Sequence, residues 1–326
     1  MALLLVTGLA VVGAGFWLFE ADLPAGVVDA RYASAASRFM ELPGGGRLHY
    51  RDQGNPAGPA LVLVHGSNAS LHTWEPWVAY LGDDFRLITL DLPGHGLTGR
   101  VPDDDYGSAA YVETVRFLTC SLSLEQFVLG GNSMGGGVAW RYALRYPETV
   151  RGLVLVDASG PPAWRIDGDD ADGGDTPLAF RLLRQPLFRV VARYLDPGPL
   201  VAQGLRSSFA DPGRVDQGMI ARYRDLTLRS GTRTAILQRF AAGSDGADET
   251  PDLGMLEMPV LILWGAQDHL IPLEVGARFE RVLPKTRLVV YPDAGHLPME
   301  EVAERSAADV RGFMGSLPAG ASASSG

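Results

Sequence analysis

The sequence predicts an α/β fold with a mostly parallel, doubly wound sheet. Three observations support this prediction. Short runs of Val, Leu and Ile alternate with segments of helical apolar spacing, which is the pattern of βαβ units with right-handed crossovers. These runs are apolar at every position, as is typical of strands buried on both faces of a parallel sheet. One long stretch, residues 161–258, breaks the alternation because its pattern is helical alone.

Eight strands and five helices outside that stretch follow from the pattern. The first two strands flank Pro43–Gly46 and are predicted to form a hairpin. The strands are predicted at residues 38–42, 47–53, 61–66, 85–92, 127–131, 153–159, 260–265 and 287–292. The helices are predicted at residues 74–81, 109–122, 134–145, 273–283 and 299–315.

Domain boundaries follow from the same pattern. The core is predicted in two parts, residues 38–160 and 259–316, with the helical insertion of residues 161–258 between them. We expect this insertion to act as a lid over one edge of the sheet. Its acidic loop, residues 167–175, lacks the spacing of a calcium loop and is expected to be solvated. Residues 317–326 are small and polar and are predicted to be a disordered tail.

The N-terminal segment is apolar. Residues 2–19 carry no charge, and as a helix they would be about 27 Å long, close to the thickness of a bilayer core. A membrane anchor over residues 1–20, a cleaved signal peptide and a buried helix all fit, and we expect the anchor, followed by a linker over residues 21–37. Acidic residues precede the first basic residue, Arg31, so the catalytic domain is expected outside the cytoplasm.

Composition excludes some functions. The chain of 326 residues has a net charge of −10, which argues against nucleic-acid binding because that requires a basic surface. Cys120 is the only cysteine, so no disulfide can form within the chain. The sequence contains no metal-ligand cluster and no phosphate-binding loop, so neither a metal nor a cofactor is predicted, and no pattern indicates an oligomeric state.

The stretch LGGNSMGGG, residues 129–137, contains a candidate nucleophile. Ser133 follows an apolar strand and precedes a helical segment, which is the context of a nucleophile elbow. Gly131 and Gly135 remove the side chains that would collide in so sharp a turn. The Ser133 hydroxyl is then expected above the carboxyl edge of the sheet, where sites in open α/β folds lie.

A serine hydroxyl needs a base, and a histidine base needs a carboxylate to orient it. Of six histidines, His296 alone combines a loop after a strand with a late position in the chain. Asp268 follows the preceding strand and is the preferred carboxylate, with Asp157, after residues 153–156, as the alternative. The order Ser133, Asp268, His296 is that of α/β-hydrolases and not that of chymotrypsin or subtilisin.

The remaining site residues are predicted from position. Met134 follows the nucleophile and Ser67 follows an inner strand, so their backbone N–H groups are expected to form the oxyanion hole. Asn68 either contacts the substrate or stabilises its loop. Aromatic residues of the insertion either line a substrate pocket or form the core of the insertion itself; they are Trp164, Phe180, Phe188 and Phe209.

Taken together, these motifs resemble the α/β-hydrolase superfamily over residues 38–316, in its lid-bearing serine hydrolase branch. The resemblance rests on LVLVHGSNAS, LDLPGHGLTG, GNSMGG, LVLVDAS, LILWGAQDHLIP and YPDAGHLPMEE. That branch holds carboxylesterases, carbon–carbon bond hydrolases, haloalkane dehalogenases and epoxide hydrolases. The last two use an aspartate at the elbow, so Ser133 disfavours both.

The string GNSMGG resembles the carbon–carbon bond hydrolases that act on meta-cleavage (dienoate) products. Two departures disfavour them: the chain has Ser67-Asn68-Ala69 where they usually carry Gly-Pro-Gly, and Leu297 where they usually carry Trp. The resemblance therefore implies a hydrolase of small or medium apolar carboxylic esters, with the carbon–carbon hydrolase as the alternative. A catalytically inactive ligand-binding protein of this fold is an alternative of another class.

Overall fold

The computed structural model describes residues 19–164, 178–242 and 251–318. The strands are β1 (Ser37–Glu41), β2 (Arg47–Gly54), β3 (Ala60–Val64), β4 (Arg86–Leu90), β5 (Phe127–Asn132), β6 (Val150–Val156), β7 (Val260–Gly265) and β8 (Thr286–Tyr291). They form one sheet in the order β1-β2-β4-β3-β5-β6-β7-β8. Only the β1–β2 and β2–β4 pairs are antiparallel, so the predicted hairpin and the mostly parallel sheet are confirmed.

Both faces of the sheet are covered by helices. Outside the helical insertion these are α1 (Ala25–Tyr32), α2 (Glu75–Leu81), α3 (Ser108–Ser121), α4 (Met134–Arg145), α10 (Leu273–Val282), α11 (Pro298–Glu301) and α12 (Ala303–Ser316). The described part of the insertion contributes α5 (Leu178–Arg184), α6 (Pro186–Ala192), α7 (Gly198–Ser208), α8 (Gln217–Leu228) and α9 (Thr232–Ala242). Helices α3, α4 and α10 pack on one face, and α2 and α12 pack on the other.

Strand β3 shows why the inner strands are apolar throughout. Side chains alternate across a strand, and Val62 and Val64 join the core with α3 and α4 while Leu61 and Leu63 join the core with α2 and α12. All four are fully buried. A strand with helices on both faces has no solvent side, so its sequence shows no polar alternation.

The sheet fixes where a site can form. Strand β3 lies between β4 and β5. The chain passes from β3 to β4 on one side of β3 and then crosses over to β5 on the other side, so the strand order reverses direction at β3. In open α/β sheets, ligands bind beyond the carboxyl ends of the strands next to such a reversal of strand order. The loops after β3 and β5 both end there, and the helical insertion enters the chain after the next strand, β6.

The N-terminal expectation needs correction. Among residues 19–164, 178–242 and 251–318, no helix is long and apolar enough to cross a membrane. The longest, α3 and α12, have 14 residues and a length of about 21 Å, short of a bilayer core. The expected single-pass anchor, with the catalytic domain outside the cytoplasm, is therefore not supported by this finding. Apart from Phe19, the predicted span of residues 2–19 lies outside the described residues.

The segment that follows is attached to the helical insertion. Phe19 forms an isolated antiparallel bridge with Leu195, and its ring stacks on Tyr194 with centroids 6.4 Å apart. The predicted linker, residues 21–37, includes helix α1, and the Tyr32 hydroxyl in that helix donates to Asp225 Oδ2 in α8 at 2.8 Å. This segment therefore packs on the insertion and does not simply connect two parts of the chain.

Two predicted segments lie mostly outside the described residues. These are the acidic loop, residues 167–175, and the C-terminal tail, of which only Leu317 and Pro318 are described. Leu317 is buried in the core beside α12. The division of the chain into core, lid and tail stays a prediction.

Candidate active site

Ser133 lies on a sharp turn between β5 and α4. Its φ is 54° and its ψ is −121°, a combination outside the regions that residues with a Cβ favour. Three backbone hydrogen bonds hold the turn: the Ser133 N–H donates to Val156 O at 3.0 Å, and its carbonyl accepts from the N–H groups of Gly137 at 3.1 Å and Ser159 at 2.9 Å. The backbone is thus fixed in a strained conformation at the carboxyl edge of the sheet.

The glycines on either side of Ser133 are required by close backbone approach. A Cβ on Gly131 would lie 2.2 Å from the carbonyl oxygen of Gly135. A Cβ on Gly135 would lie 2.2 Å from the carbonyl oxygen of Val64, at the end of β3. Any larger residue at either position would push α4 away from the sheet, as the sequence pattern predicts for an elbow.

His296 and Asp268 meet on the loops that follow β8 and β7. His296 Nδ1 donates to Asp268 Oδ2 at 2.7 Å, and the Asp268 side chain is fully buried. The other carboxylate oxygen, Oδ1, accepts from the N–H groups of Leu270 at 2.7 Å and Ile271 at 3.1 Å. These bonds fix the carboxylate, which in turn fixes the imidazole tautomer, so Nε2 is the nitrogen left to accept a proton.

The backbone of His296 is held from both sides. Its N–H donates to Ser208 O at 2.8 Å, and its carbonyl accepts from Asn132 Nδ2 at 3.0 Å. Asn132 directly precedes Ser133, so one side chain links the serine turn to the histidine loop. The sequence analysis assigned no role to Asn132, although this residue is part of the GNSMGG motif.

Asp157, the alternative carboxylate, lies beside this pair in a different role. Its Oδ1 accepts from the Gly265 N–H at 2.9 Å, and its Oδ2 is buried without a hydrogen-bond partner among the described residues. Burial raises the pKa of Asp157 well above its usual range, and the negative charge of Asp268 raises it further. Both effects favour the protonated form of Asp157, while the Asp268 carboxylate holds the histidine.

These three side chains also meet the spacing of a metal site. One ligand atom each from Asp157, Asp268 and His296 lie within 4.8 Å of one another. The His296 nitrogen and an Asp268 oxygen in this cluster already share a hydrogen bond, and burial favours the protonated form of the Asp157 carboxyl. A protonated carboxyl is a poor ligand for a cation, so the cluster suits proton sharing better than metal binding.

The predicted oxyanion residues lie on the two loops that flank the serine. Met134 begins α4, so its N–H has no partner within the helix. Ser67 and Asn68 follow β3, and Asn68 has a φ of 58°, in the left-handed region. Both side chains bind Arg239 of α9: the guanidinium donates to Ser67 Oγ and to Asn68 Oδ1, each at 2.7 Å. Sequence reasoning did not single out Arg239.

A cavity of about 320 Å³ opens between this edge of the sheet and the helical insertion. Ser133, His296, Ser67 and Asn68 line one end. Most of the rest is lined by aliphatic and aromatic side chains of the insertion, among them Leu182, Leu183, Phe188, Leu200, Val201, Leu205, Ile236 and Leu237, and the polar residues Asp196, Ser208, Thr227 and Arg233 also contribute. The site thus combines one polar end with a long apolar wall.

The aromatic residues predicted for the pocket divide into separate groups. Phe188 lines the cavity. Trp164 does not: its ring packs edge-on against Phe279 of α10 with centroids 4.9 Å apart, so its predicted contact with substrate stays a prediction. Phe209 is buried in the core beside α2 and α12. The side chain of Phe180 lies outside the described part of the structure.

The comparison with known proteins agrees with this architecture. The sequence profile of the alpha/beta hydrolase fold family matches residues 59–302. The protein belongs to this family and is a hydrolase of the α/β fold.

Three relatives show the range within that family. Lipase 1 of Psychrobacter immobilis is 25% identical over 288 residues, covering 86% of this chain and 85% of the lipase. The 2-hydroxy-6-oxo-2,4-heptadienoate hydrolase of Pseudomonas putida is 31% identical over 270 residues, covering 79% and 88%. The crystal structure of Cfl2 from Burkholderia cenocepacia has a TM-score of 0.75 and 25% identity, covering 85% of this chain and 95% of Cfl2.

Proposed function

We propose that this protein is a serine hydrolase that cleaves carboxylic esters of small or medium apolar substrates through an acyl-enzyme. One observation carries the proposal. His296, held by its 2.7 Å hydrogen bond to Asp268, lines the same cavity as a serine whose backbone is held at positive φ. A fixed base beside a strained, accessible hydroxyl is the arrangement that nucleophilic acyl transfer requires.

The reaction follows from the roles these atoms can take. Ser133 Oγ attacks the acyl carbon of the ester while His296 Nε2 accepts its proton. Asp268 stabilises the imidazolium ion that forms. The oxygen of the tetrahedral intermediate becomes negative and is bound by the N–H groups of Met134 and Ser67. His296 then protonates the departing alcohol, and a water molecule, activated by the same histidine, hydrolyses the acyl-enzyme.

The cavity supports an apolar substrate. Apart from its polar end, its wall consists mainly of Leu, Val, Ile and Phe side chains from the helical insertion. At about 320 Å³ it lies at the lower end of the usual range for ligand pockets. An aliphatic or small aromatic group fits these limits, and the name of the Psychrobacter relative, a lipase, agrees with ester cleavage. In this proposal the helical insertion acts as a lid that supplies the apolar wall.

Carbon–carbon bond hydrolysis is the second candidate. The Pseudomonas putida relative is named for a heptadienoate substrate, and its identity of 31% exceeds that of the lipase. Leu297, next to His296, disfavours this reaction in our chain because the resembling hydrolases usually carry Trp there. An inactive binding protein is disfavoured because the serine, the histidine and the carboxylate are all present.

Two measurements on the purified protein test the proposal. A fluorophosphonate probe should form a covalent adduct, and mass spectrometry of the digest should locate it on Ser133. A panel of p-nitrophenyl esters with short to long acyl chains, run beside a dienoate ring-fission product, should show turnover of the esters. Turnover of the dienoate alone would establish the carbon–carbon hydrolase. A protein that neither labels nor turns over either substrate class would be a binding protein.

A further inference from the structure

Arg239 places a positive charge next to the predicted oxyanion hole. It projects from α9 of the helical insertion, and its guanidinium donates to four side chains from three other segments. The distances are 2.7 Å to Ser67 Oγ, 2.7 Å to Asn68 Oδ1, 3.0 Å to His95 Nε2 and 3.2 Å to Met134 Sδ. Ser67 and Asn68 lie on the loop after β3, and Met134 begins α4, so one guanidinium contacts both segments that are expected to form the oxyanion hole.

The charge of Arg239 is not balanced by a carboxylate in the described part of the chain. His95 is neutral: its Nδ1 donates to Pro93 O at 3.0 Å, so Nε2 is the acceptor for Arg239. Burial lowers the pKa of His95 well below its usual range, and the Arg239 charge lowers it further. Tyr111 is the remaining ionisable neighbour, and a phenol is neutral at neutral pH.

Such an arrangement is costly if it serves packing alone. A buried charge is normally paired, because transfer of an unpaired ion from water is strongly unfavourable. Burial also lowers the pKa of Arg239, yet a guanidinium remains charged at neutral pH. An aliphatic side chain would fill the same space without this penalty. The cation is therefore expected to act on negative charge that appears during the reaction.

We propose that Arg239 is a positioning residue of the oxyanion hole, which holds the Ser67–Asn68 loop and Met134 in place and favours negative charge on the substrate oxygen. The loop turns at Asn68, where φ is positive, and the hydrogen bond from Arg239 to Asn68 Oδ1 holds that turn. One guanidinium nitrogen, Nη2, donates to Asn68 Oδ1 and Ser67 Oγ, while the other, Nη1, contacts His95 Nε2 and Met134 Sδ, so the planar fork of Arg239 joins the loop to Met134. Arg239 itself is absent from the cavity wall, so it acts through these residues and through its field.

The inference rests on the proposed ester hydrolysis, and its test separates the two. Full-length protein is prepared as wild type, Arg239→Lys, Arg239→Gln and Arg239→Met, with Arg229→Met as the matched control. Arg229 is also a buried guanidinium of the insertion, but it pairs with Asp29 and contacts none of the oxyanion residues. The measurements are kcat and KM for the best ester, the Ki of a boronic acid that mimics the tetrahedral intermediate, and Tm.

Arg239→Met should lower kcat about tenfold to a hundredfold, less than the roughly 10²- to 10³-fold cost of removing a direct oxyanion donor because Arg239 acts through other groups, with KM changed much less. The Ki of the boronic acid should rise in parallel with the fall in kcat/KM, because both depend on binding the tetrahedral oxygen. Arg239→Lys should recover part of kcat through its charge, and Arg239→Gln should not. Arg229→Met should lower Tm and leave both kcat and Ki near the wild-type values.

Some results would overturn the inference. If Arg239→Gln or Arg239→Lys lowers Tm alone and leaves kcat and the boronic acid Ki unchanged, Arg239 is structural. The same conclusion holds if Arg229→Met lowers kcat as much as Arg239→Met does. A wild-type protein that does not hydrolyse esters or react with the fluorophosphonate probe would contradict the proposed function first, and the role of Arg239 with it.

Discussion

Two Ser–His–Asp groups occur in the part of the chain that the structure describes, and only one faces the cavity. In the second group, Ser37, His49 and Asp91 lie at the β1–β2 edge of the sheet. The Ser37 hydroxyl and His49 Nε2 are 2.8 Å apart, and His49 Nδ1 and Asp91 Oδ2 are 2.7 Å apart. At the first group only the His296–Asp268 bond, also 2.7 Å, is formed. By hydrogen bonding alone the second group is the more complete.

The two groups differ in what surrounds the serine. Ser133 directly precedes a 12-residue helix, has a positive φ and lines a cavity, where a substrate oxygen can meet backbone N–H groups. Ser37 lies in a β-strand, pairs with Arg51 across the hairpin and accepts a hydrogen bond from the Ser34 N–H. Asp91 of the second group also accepts from the N–H groups of Leu71 and Leu97.

The second group therefore fixes two loops to the edge of the sheet, and its histidine is fully buried. A serine, a histidine and an aspartate joined by hydrogen bonds therefore do not by themselves define a hydrolytic site. Access for a substrate and donors for its developing negative charge are also required.

Removal of the two serine hydroxyls should give the largest contrast. Ser133→Ala should lower kcat for esters by at least about 10⁴-fold, on the scale of nucleophile removal in other serine hydrolases. Ser37→Ala removes the hydroxyl of the second group, which does not face the cavity. This change should leave kcat within about threefold of the wild-type value, since substitutions far from a site have small effects. Steady-state kinetics and probe labelling measure both. A loss of kcat in Ser37→Ala comparable to that in Ser133→Ala would mean that the comparison is wrong.

The two carboxyl groups beside His296 offer the next contrast. Asp268→Asn should lower kcat by about 10³- to 10⁴-fold, because an amide holds the imidazole in the wrong tautomer. Asp157→Asn should lower it less than tenfold, because burial already favours the uncharged carboxyl at this position and the amide oxygen can still accept from the Gly265 N–H. The pH–rate profile of each variant supplies the measurement. Equal losses in the two variants would show that Asp157 shares the role of Asp268.

The group of Ser37, His49 and Asp91 should affect the free energy of unfolding, whereas the group of Ser133, His296 and Asp268 should affect kcat. Asp91→Ala removes the acceptor of His49 and of two loop N–H groups, and should lower the free energy of unfolding by about 3–5 kcal/mol, as expected for a broken buried pair. The test is urea unfolding, with His296→Ala as the control that lowers kcat but costs less stability. If Asp91→Ala unfolds at the wild-type urea concentration, the second group is not a structural clamp.

The same group should give the protein an acid-sensitive stability. Burial acts to raise the pKa of Asp91, but the hydrogen bond and charge of His49 outweigh it, so the pKa lies below its usual range. A carboxyl with a depressed folded-state pKa contributes stability above its unfolded pKa, near pH 4, and loses it as pH falls towards the folded value. The free energy of unfolding should therefore drop below about pH 4, and less so in Asp91→Asn. An identical pH slope in both proteins would contradict this assignment.

The sequence predicted the sheet and the placement of Ser133 because those signals are local. Gly131 and Gly135 lie within two residues of the serine, and the apolar runs are short. The positions of Asp268 and His296 followed from chain order, since carboxyl ends of neighbouring parallel strands meet at one edge. The structure brings these two side chains together, whereas their catalytic roles remain part of the proposal.

Features that depend on how the helical insertion packs could not be predicted. Arg239 is one of two arginines in α9, and nothing near it in sequence shows that it reaches Ser67 and Asn68. Trp164 is a second example. The sequence marks it only as an aromatic residue of the insertion, and the structure shows that its ring packs against Phe279. Composition gives the chemistry of the wall, and only tertiary structure gives the direction in which each side chain points.

The smallest expected effect concerns Phe188 and Trp164, two aromatic residues of the insertion whose side chains point in different directions. Phe188 lines the cavity, so Phe188→Ala should change the preference among acyl chain lengths by about tenfold in kcat/KM, the scale of a lost apolar contact in a pocket. Trp164→Ala should lower Tm and leave that preference unchanged, because its ring packs on Phe279 outside the cavity. The ester panel run on both variants decides between them. A shift in chain-length preference with Trp164→Ala would place this side chain in the substrate path after all, and would mean that the insertion adopts another arrangement when substrate binds.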